Sequence, residues 1–497
     1  MSLTALGLWS FPVLLALIFL RAPIGAAMFG VGFVGLWLAT DSPGMALNLL
    51  KGESYATFSS YSLSIIPMFL LMGQFATLSG MSGALFRAAE AWLGHRRGGL
   101  AMASVGACAG FGAICGSSLA TAATMGRVAL PELRRHGYSG GFASATLAAG
   151  GTLGILIPPS VILVIYAILT EQNIAALFLA AFVPGLLAAI GYMITIAIYV
   201  RVHPDSAGIK HRVPYPDRLR ALVQIWPVIA VFGLVVGGIY AGWFTPTEGA
   251  AVGVAGMGLL ACLRGRMSWA LFREAVLSTA VSSAMIFFII LGAKLYNSFL
   301  ALTQLPQDVS LWVASQGFAP LTVLVVILLI YLIMGCVMDS LSMILLTIPI
   351  FWPVMAGLDF GLINLIDMQT ARLAQGIADG VAMAPDLLAA AQAKLADGIA
   401  LGRDEFRALG LRPVTEAMQA DANTTLTAIW FGILVLIVVE VGLITPPVGM
   451  NLFIINALDK TTPITATYRA VLWFVTSDII RVALLVACPG ITLFLLR

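Results

Sequence analysis

The chain has 497 residues, 60% of them hydrophobic and 10% charged, a balance that excludes a soluble globular class and fits a protein crossing a membrane many times. The formal net charge of +3 says little by its sign, whereas the placement of Lys and Arg says a good deal. The five cysteines, Cys108, Cys115, Cys262, Cys336 and Cys488, all fall in apolar segments without metal-like spacing, which argues against a disulfide framework or a zinc site and reads them as small packing residues.

Leu3 to Leu20 is apolar but has no basic start and no small-residue cleavage pattern, so it reads as a first span rather than a removed signal. A second block, about 23–40, follows Arg21, the only charge between the two. The positive-inside rule then puts Arg21 in the cytoplasm and the N-terminus outside. Residues 1–60 are read as scaffold spans. The next span, about 61–80, returns inward to Arg87, His95, Arg96 and Arg97, and a second basic cluster stands at Arg134, Arg135 and His136. The apolar block between the clusters is too short for two full spans of about 20 residues and has basic flanks at both ends. A re-entrant hairpin over about 98–131, with its tip at Gly116-Ser117-Ser118, satisfies both constraints.

From Phe142 to Thr170 the chain crosses outward through a break at Pro158-Pro159, and Ile174 to Val200 brings it back, closing a first repeat over 61–200. Residues 201–275 hold a basic loop, Arg201 to Arg220, and connecting spans at about 221–241 and 246–262. Their short outer turn includes Glu248, read as a helix-start carboxylate, and Arg264, Arg266 and Arg273 mark the return inside. A span near 276–300 opens the second repeat, 276–366. From Thr303 to Ala371 there is no Lys or Arg, and the apolar block of about 320–355 is read as a second hairpin, entered from outside, with its tip at Gly335 to Ser340. Asp367 to Thr425, rich in Ala, Asp, Gln and Arg, reads as a polar, partly helical insertion on the outer side. The last segment, 426–497, holds a span broken at Thr445-Pro446-Pro447 and a final span that leaves the C-terminus outside.

Gly154-Ile155-Leu156-Ile157-Pro158-Pro159 has a counterpart in Gly442-Leu443-Ile444-Thr445-Pro446-Pro447, each after a hairpin and crossing in opposite senses. Paired hairpins and broken helices in two inverted halves are the signature of an alternating-access transporter, because unwound backbone at membrane depth is tolerated only where protein or a cavity satisfies it. At the first tip Gly116 lets the backbone turn, and Ser117, Ser118 and Thr121 offer hydroxyl oxygens. At the second, Asp339 stands in an apolar block where a carboxylate costs about 2.5–3.5 kcal/mol unless paired or hydrated, which makes it a cation partner, a proton partner or a helix cap. Ser340, Ser342, Thr445 and Asn451 are candidates to complete that second site. Lys294 is read as snorkelling outward and Arg481 as pairing with Asp478. The four histidines fall in loops, so no metal centre is expected.

The stretches GSSLATAATMGRVALPELRRHGY, AAGGTLGILIPPSVILVIY, GWFTPTEGAAVG, MDSLSMILLTIPI and GLITPPVGMNLF together resemble the large membrane subunit of tripartite ATP-independent periplasmic (TRAP) transporters, the DctM-like family. The resemblance covers nearly the whole chain. It implies an all-α, multi-pass inner-membrane protein of inverted-repeat, elevator type, with a scaffold and a mobile transport domain, driven by a Na⁺ gradient. It also implies a small four-span membrane subunit and a periplasmic binding protein that delivers an organic acid such as a dicarboxylate or a sialic acid. By motif match, the cation-binding regions fall on the Gly116-Ser117-Ser118 tip with Gly154 to Pro159, and on the Asp339 hairpin with Thr445 to Asn451. The Asp367 to Thr425 insertion departs from the pattern. A stand-alone carboxylate symporter of a related two-hairpin fold is the nearest rival, and genes for a binding protein and small subunit beside this one count against it. An intramembrane hydrolase using Ser117 with Asp339 lacks a histidine base at membrane depth, and no nucleic-acid partner is expected.

Overall fold

The computed structural model describes residues 2–496, and among these residues the regular structure is helical throughout. Helices α1 (Leu3–Phe19) and α2 (Ile24–Thr40) are followed by α3 (Pro43–Phe58), which mixes apolar residues with Lys51 and Glu53 and so carried no span signal. Next come α4 (Ile65–Leu78) and α5 (Met81–Leu93). The first hairpin is α6 (Gly99–Cys115) and α7 (Ser118–Arg135), and the first broken helix is α8 (Gly140–Leu156) and α9 (Val161–Thr170), bent by 44°. Three long helices, α10 (Ile174–Val202), α11 (Tyr215–Tyr240) and α12 (Pro246–Leu263), lead to α13 (Trp269–Thr303).

At 35 residues α13 is about 52 Å long, well beyond a hydrocarbon layer of about 30 Å. It overruns the expected 276–300 at both ends because Ser268 caps it, accepting a hydrogen bond from the Leu271 N–H, and no glycine or proline stops it before Pro306. A short α14 (Leu305–Ser315) precedes the second hairpin, α15 (Pro320–Gly335) and α16 (Ser340–Ala356). Glu248 closes a capping box with Thr245 at the start of α12, a helix-start carboxylate as its position suggested.

The insertion folds into α17 (Leu365–Ala378), α18 (Pro385–Ala396) and α19 (Arg403–Ala408) around a small core that includes Leu373, Leu395 and Phe406. Gln369 ties it together through paired hydrogen bonds with the backbone of Leu401, at 3.0 and 2.7 Å. Its end lies earlier than expected. The second broken helix, α20 (Glu416–Ile444) and α21 (Met450–Leu458), starts at Glu416, because Thr415 supplies the cap and nothing after Pro413 interrupts the helix. Finally come α22 (Ile464–Ala487) and α23 (Pro489–Leu493). Of the cysteines, only Cys108 and Cys115 are buried. Cys336 is half-buried and Cys262 and Cys488 are exposed, so the packing role holds for two of the five.

Two helices form the centre: all 17 residues of α8 and every residue of α20 from Thr427 to Ile444 are buried. The halves interlock crosswise around them. α9, from the first half, packs on α16 and α20, and Tyr166 donates to the Ala428 carbonyl at 2.5 Å. α21, from the second half, packs on α7 and α8. To one side α2 lies along α13, and α12 along α4 and α11.

The basic loops gather at one end. Leu100 N–H donates to Tyr138 (3.2 Å), Ser139 N–H to the Ser206 carbonyl (3.0 Å), and Arg264 to the Ser79 carbonyl (3.2 Å), while Lys210 pairs with Glu90 (2.6 Å) and Arg134 with Asp459 (2.9 Å). The hairpin α6–α7 therefore returns to the end at which it enters. Elsewhere Thr4 of α1 meets Asp308 of α14 (3.0 Å), the Ile363 N–H meets Asn423 beside the insertion (2.9 Å), and Trp430 of α20 donates to the Leu485 carbonyl of α22 (3.0 Å).

Candidate functional site

The first tip is built by one glycine and one serine. Gly116, at φ +63°, turns the chain out of α6, a conformation open to glycine at little cost, and the Ser117 hydroxyl accepts the Ala120 N–H to cap α7. The tip rests against the first break: a Cβ built on Gly116 would lie 3.3 Å from the Pro159 carbonyl oxygen and 3.4 Å from the Val161 nitrogen. Thr121 comes in from α7. Its hydroxyl oxygen and the Ser117 carbonyl oxygen lie 2.6 and 2.8 Å from where a Cβ on Gly154 would stand, and that hydroxyl is buried without a hydrogen-bond partner. Gly116, Ser117, Thr121, Gly154, Pro158 and Pro159 are thus brought together, and Ser118 begins the helix leading away.

The second tip is organised by Asp339. Its carboxylate caps α16 by accepting the Ser342 N–H at 3.2 Å and also takes the Ser342 hydroxyl, so of the three roles open to it from sequence the structure assigns the cap. Here two glycines meet: a Cβ on Gly442 would lie 2.6 Å from the Cα of Gly335, which brings α15 and α20 into backbone contact. Thr445 turns its hydroxyl back onto the Val441 carbonyl at 2.6 Å. Pro446 is half-buried and Pro447 exposed, whereas Pro158 and Pro159 are both buried. The first break is sealed inside protein; the second lies nearer the surface.

Asn451 does not join the second tip. Carried by α21 onto the other half, its side-chain amide donates to the Ala148 carbonyl of α8 at 3.3 Å, and its Oδ1 is buried and unpartnered. The swap follows from the crosswise packing, which spacing along the chain does not reveal.

Sequence reasoning missed Glu440. It is 1% exposed, and its Oε1 accepts the Ser340 hydroxyl at 2.7 Å. A signal was present, for Glu440 is the only charged residue from Leu426 to Leu458, and the argument that singled out Asp339 applied to it with equal force. Below the first break a second polar chain runs from Thr152 to Tyr192 (3.0 Å), from Tyr192 to Asp478 (2.8 Å), and from Asp478 to Arg481 (2.8 Å). It includes the Arg481–Asp478 pair expected from spacing.

The family model for the tripartite ATP-independent periplasmic transporter DctM component matches residues 11–491. The chain is 32% identical over 443 residues, 89% of its length and 87% of the relative's, to the C4-dicarboxylate TRAP transporter large permease protein DctM of Pseudomonas aeruginosa. It is 26% identical, over 97% of its length and 96% of the relative's, to the sialic acid TRAP transporter large permease protein SiaM of Vibrio cholerae. The fold is similar to the crystal structure of the YdaH transporter of Alcanivorax borkumensis, with a TM-score of 0.55 at 13% identity, covering 99% of this chain and 98% of that one.

Proposed function

The chain belongs to the DctM component family of tripartite ATP-independent periplasmic transporters, and we propose that this large, multi-pass transport permease performs Na⁺-coupled uptake of a small organic acid. It acts with a small four-span membrane subunit and a periplasmic binding protein that delivers the substrate, in the inner membrane with the insertion on the periplasmic side. The relatives' names include C4-dicarboxylate and sialic acid, which fits an organic acid as the class while leaving the individual substrate to the binding protein.

The observation that carries the proposal is the meeting of each hairpin tip with the broken helix of its own half, with the buried Thr121 hydroxyl at the first of them left without a hydrogen-bond partner. A hard cation such as Na⁺ is held by oxygen ligands, and unwound backbone supplies them where helices break. The donor set fits. At the first tip Thr121 would hold the ion with the carbonyls of Ser117 and Pro159, the Thr121 hydroxyl being buried and unpartnered. At the second, the turn before Asp339 and the backbone from Thr445 to Gly449 would do so. Bound Na⁺ supplies charge compensation that lets an anion enter the interior; the protein's part is to hold the tips closed on the breaks. The helix N-termini at Ser118 and Ser340 present free N–H groups of the kind that receive a carboxylate.

Ser117 and Asp339 are both occupied as helix caps, so neither is free to act as a nucleophile or base. Reconstitution tests the assembly. Proteoliposomes containing both membrane subunits are expected to take up organic acid only when loaded binding protein is supplied, and equal uptake of free substrate without it would favour the stand-alone symporter.

A further inference from the structure

Glu440 sits where the two halves meet. Ser340, the first residue of α16, donates to its Oε1 at 2.7 Å, and Ser118, the buried first residue of α7, acts on the same carboxyl group from the other half. The two serines occupy the same position in the two hairpins, each directly after a capping residue, Ser117 and Asp339. Two helix N-termini, one from each half, therefore converge on one carboxylate. Its second oxygen, Oε2, is buried and has no hydrogen-bond partner.

The counterpart of Glu440 in the first half is a neutral residue. Aligning Gly154 with Gly442 places Thr152 opposite it, and the Thr152 hydroxyl is fully used, donating to the Ala149 carbonyl at 2.6 Å and meeting Tyr192 at 3.0 Å. A carboxylate has about four lone-pair sites to fill, and an ionised one sealed at membrane depth demands a positive partner. The other charge that reaches it is Asp478 on α22, a like charge already paired with Arg481. Among the described residues no basic side chain bonds to Oε2.

Resting on the Na⁺ reading above, we propose that Glu440, with the hydroxyl oxygens of Ser118 and Ser340, forms a cation site shared by the two hairpin tips and separate from the two break sites. An ion held there ties one hairpin to the other, so occupancy in one half is felt in the other. Na⁺ binding is then cooperative through a single carboxylate.

The test uses the purified complex of both membrane subunits, with Na⁺-induced rise in melting temperature read at constant ionic strength alongside uptake in proteoliposomes. Wild type is expected to respond with a Hill coefficient above one. Glu440→Gln is expected to raise the half-saturating Na⁺ concentration about tenfold or more, the range seen when a metal site loses a supporting carboxylate, and to lower the Hill coefficient. Ser340→Ala, which leaves the carboxylate in place, moves both in the same direction by less and carries the test if Glu440→Gln does not fold. Thr152→Val leaves the half-saturating concentration unchanged. An Na⁺ response in wild type that is unaltered in Glu440→Gln and Ser340→Ala overturns the shared site and leaves the break sites standing, as does a Glu440→Gln effect that appears only as a changed pH profile. No Na⁺ response in wild type overturns both.

Discussion

The contact between Gly335 and Gly442 permits a quantitative test of how closely the second hairpin seats. In Gly442→Ala the new methyl group would stand 2.6 Å from both the Cα and the carbonyl carbon of Gly335, where non-bonded carbons rest about 3.5–4.0 Å apart. α15 and α20 must then part by about 1 Å, which forfeits roughly a quarter to a half of the dispersion attraction across the contact. Overpacking of this kind costs about 1–3 kcal/mol, against which alanine in a helix interior recovers about 0.5–1 kcal/mol. The expected net loss is about 1–2 kcal/mol. Gly237→Ala, in α11, is the matched control: its Cβ would meet nothing within 4 Å, so only the helix-interior gain remains. Thermal unfolding of the purified protein in detergent is expected to show a lower melting temperature for Gly442→Ala, and an unchanged or higher one for Gly237→Ala. Equal stability of the two variants would refute the close seating of the hairpin.

Two more predictions follow from the polar ends of the molecule. Asp459 accepts from Arg134, Thr461 and Thr462; burial pushes its carboxyl up, but the bonds from Thr462, Thr461 and Arg134 prevail and hold it below the usual aspartate range. Its contribution is therefore complete above the unfolded value of about 3.9 and is lost as pH falls through the lower folded value. Asp459→Asn is expected to flatten the acid limb of a melting-temperature profile while changing little at neutral pH beyond about 2 kcal/mol of lost charged hydrogen bonding; an acid limb identical to wild type would count against this link. A cysteine at Ala390, exposed on α18, in a background lacking the exposed Cys262 and Cys488, is expected to react with an impermeant thiol reagent in spheroplasts. Reaction only after lysis would reverse the placement of the insertion.

Much of the fold was legible because membrane constraints are severe. Basic flanks on a block too short for two spans left a hairpin as the remaining solution, and α6 and α7 take that form. The repeated Gly-Ile/Leu-Leu/Ile-x-Pro-Pro pattern likewise marked both helix breaks. Features that depend on packing between distant segments were not legible. Spacing places Asn451 beside the second break, but the direction in which α21 leaves that break decides its neighbours, and it leaves toward α8. Asp339 looked costly on insertion grounds, yet its cost is offset locally by the Ser342 N–H and hydroxyl, the ordinary work of an N-cap. Glu440 carried the same signal without a local partner, and its meaning emerges only when Ser340 arrives from 100 positions away. Helices α3 and α14 were missed because their mixed faces give neither a span nor a loop pattern.

The central claim is that oxygen atoms at the hairpin tips bind the ion that drives uptake. Thr121→Val tests it most directly, since it removes a buried hydroxyl without a hydrogen-bond partner at the first tip while nearly preserving shape. Both membrane subunits are placed in proteoliposomes with loaded binding protein, and initial uptake is measured against external Na⁺. Uptake is expected to require Na⁺, with a Hill coefficient above one in wild type and a higher half-saturating Na⁺ concentration in Thr121→Val. Uptake driven equally well by a proton gradient in the absence of Na⁺ would contradict it.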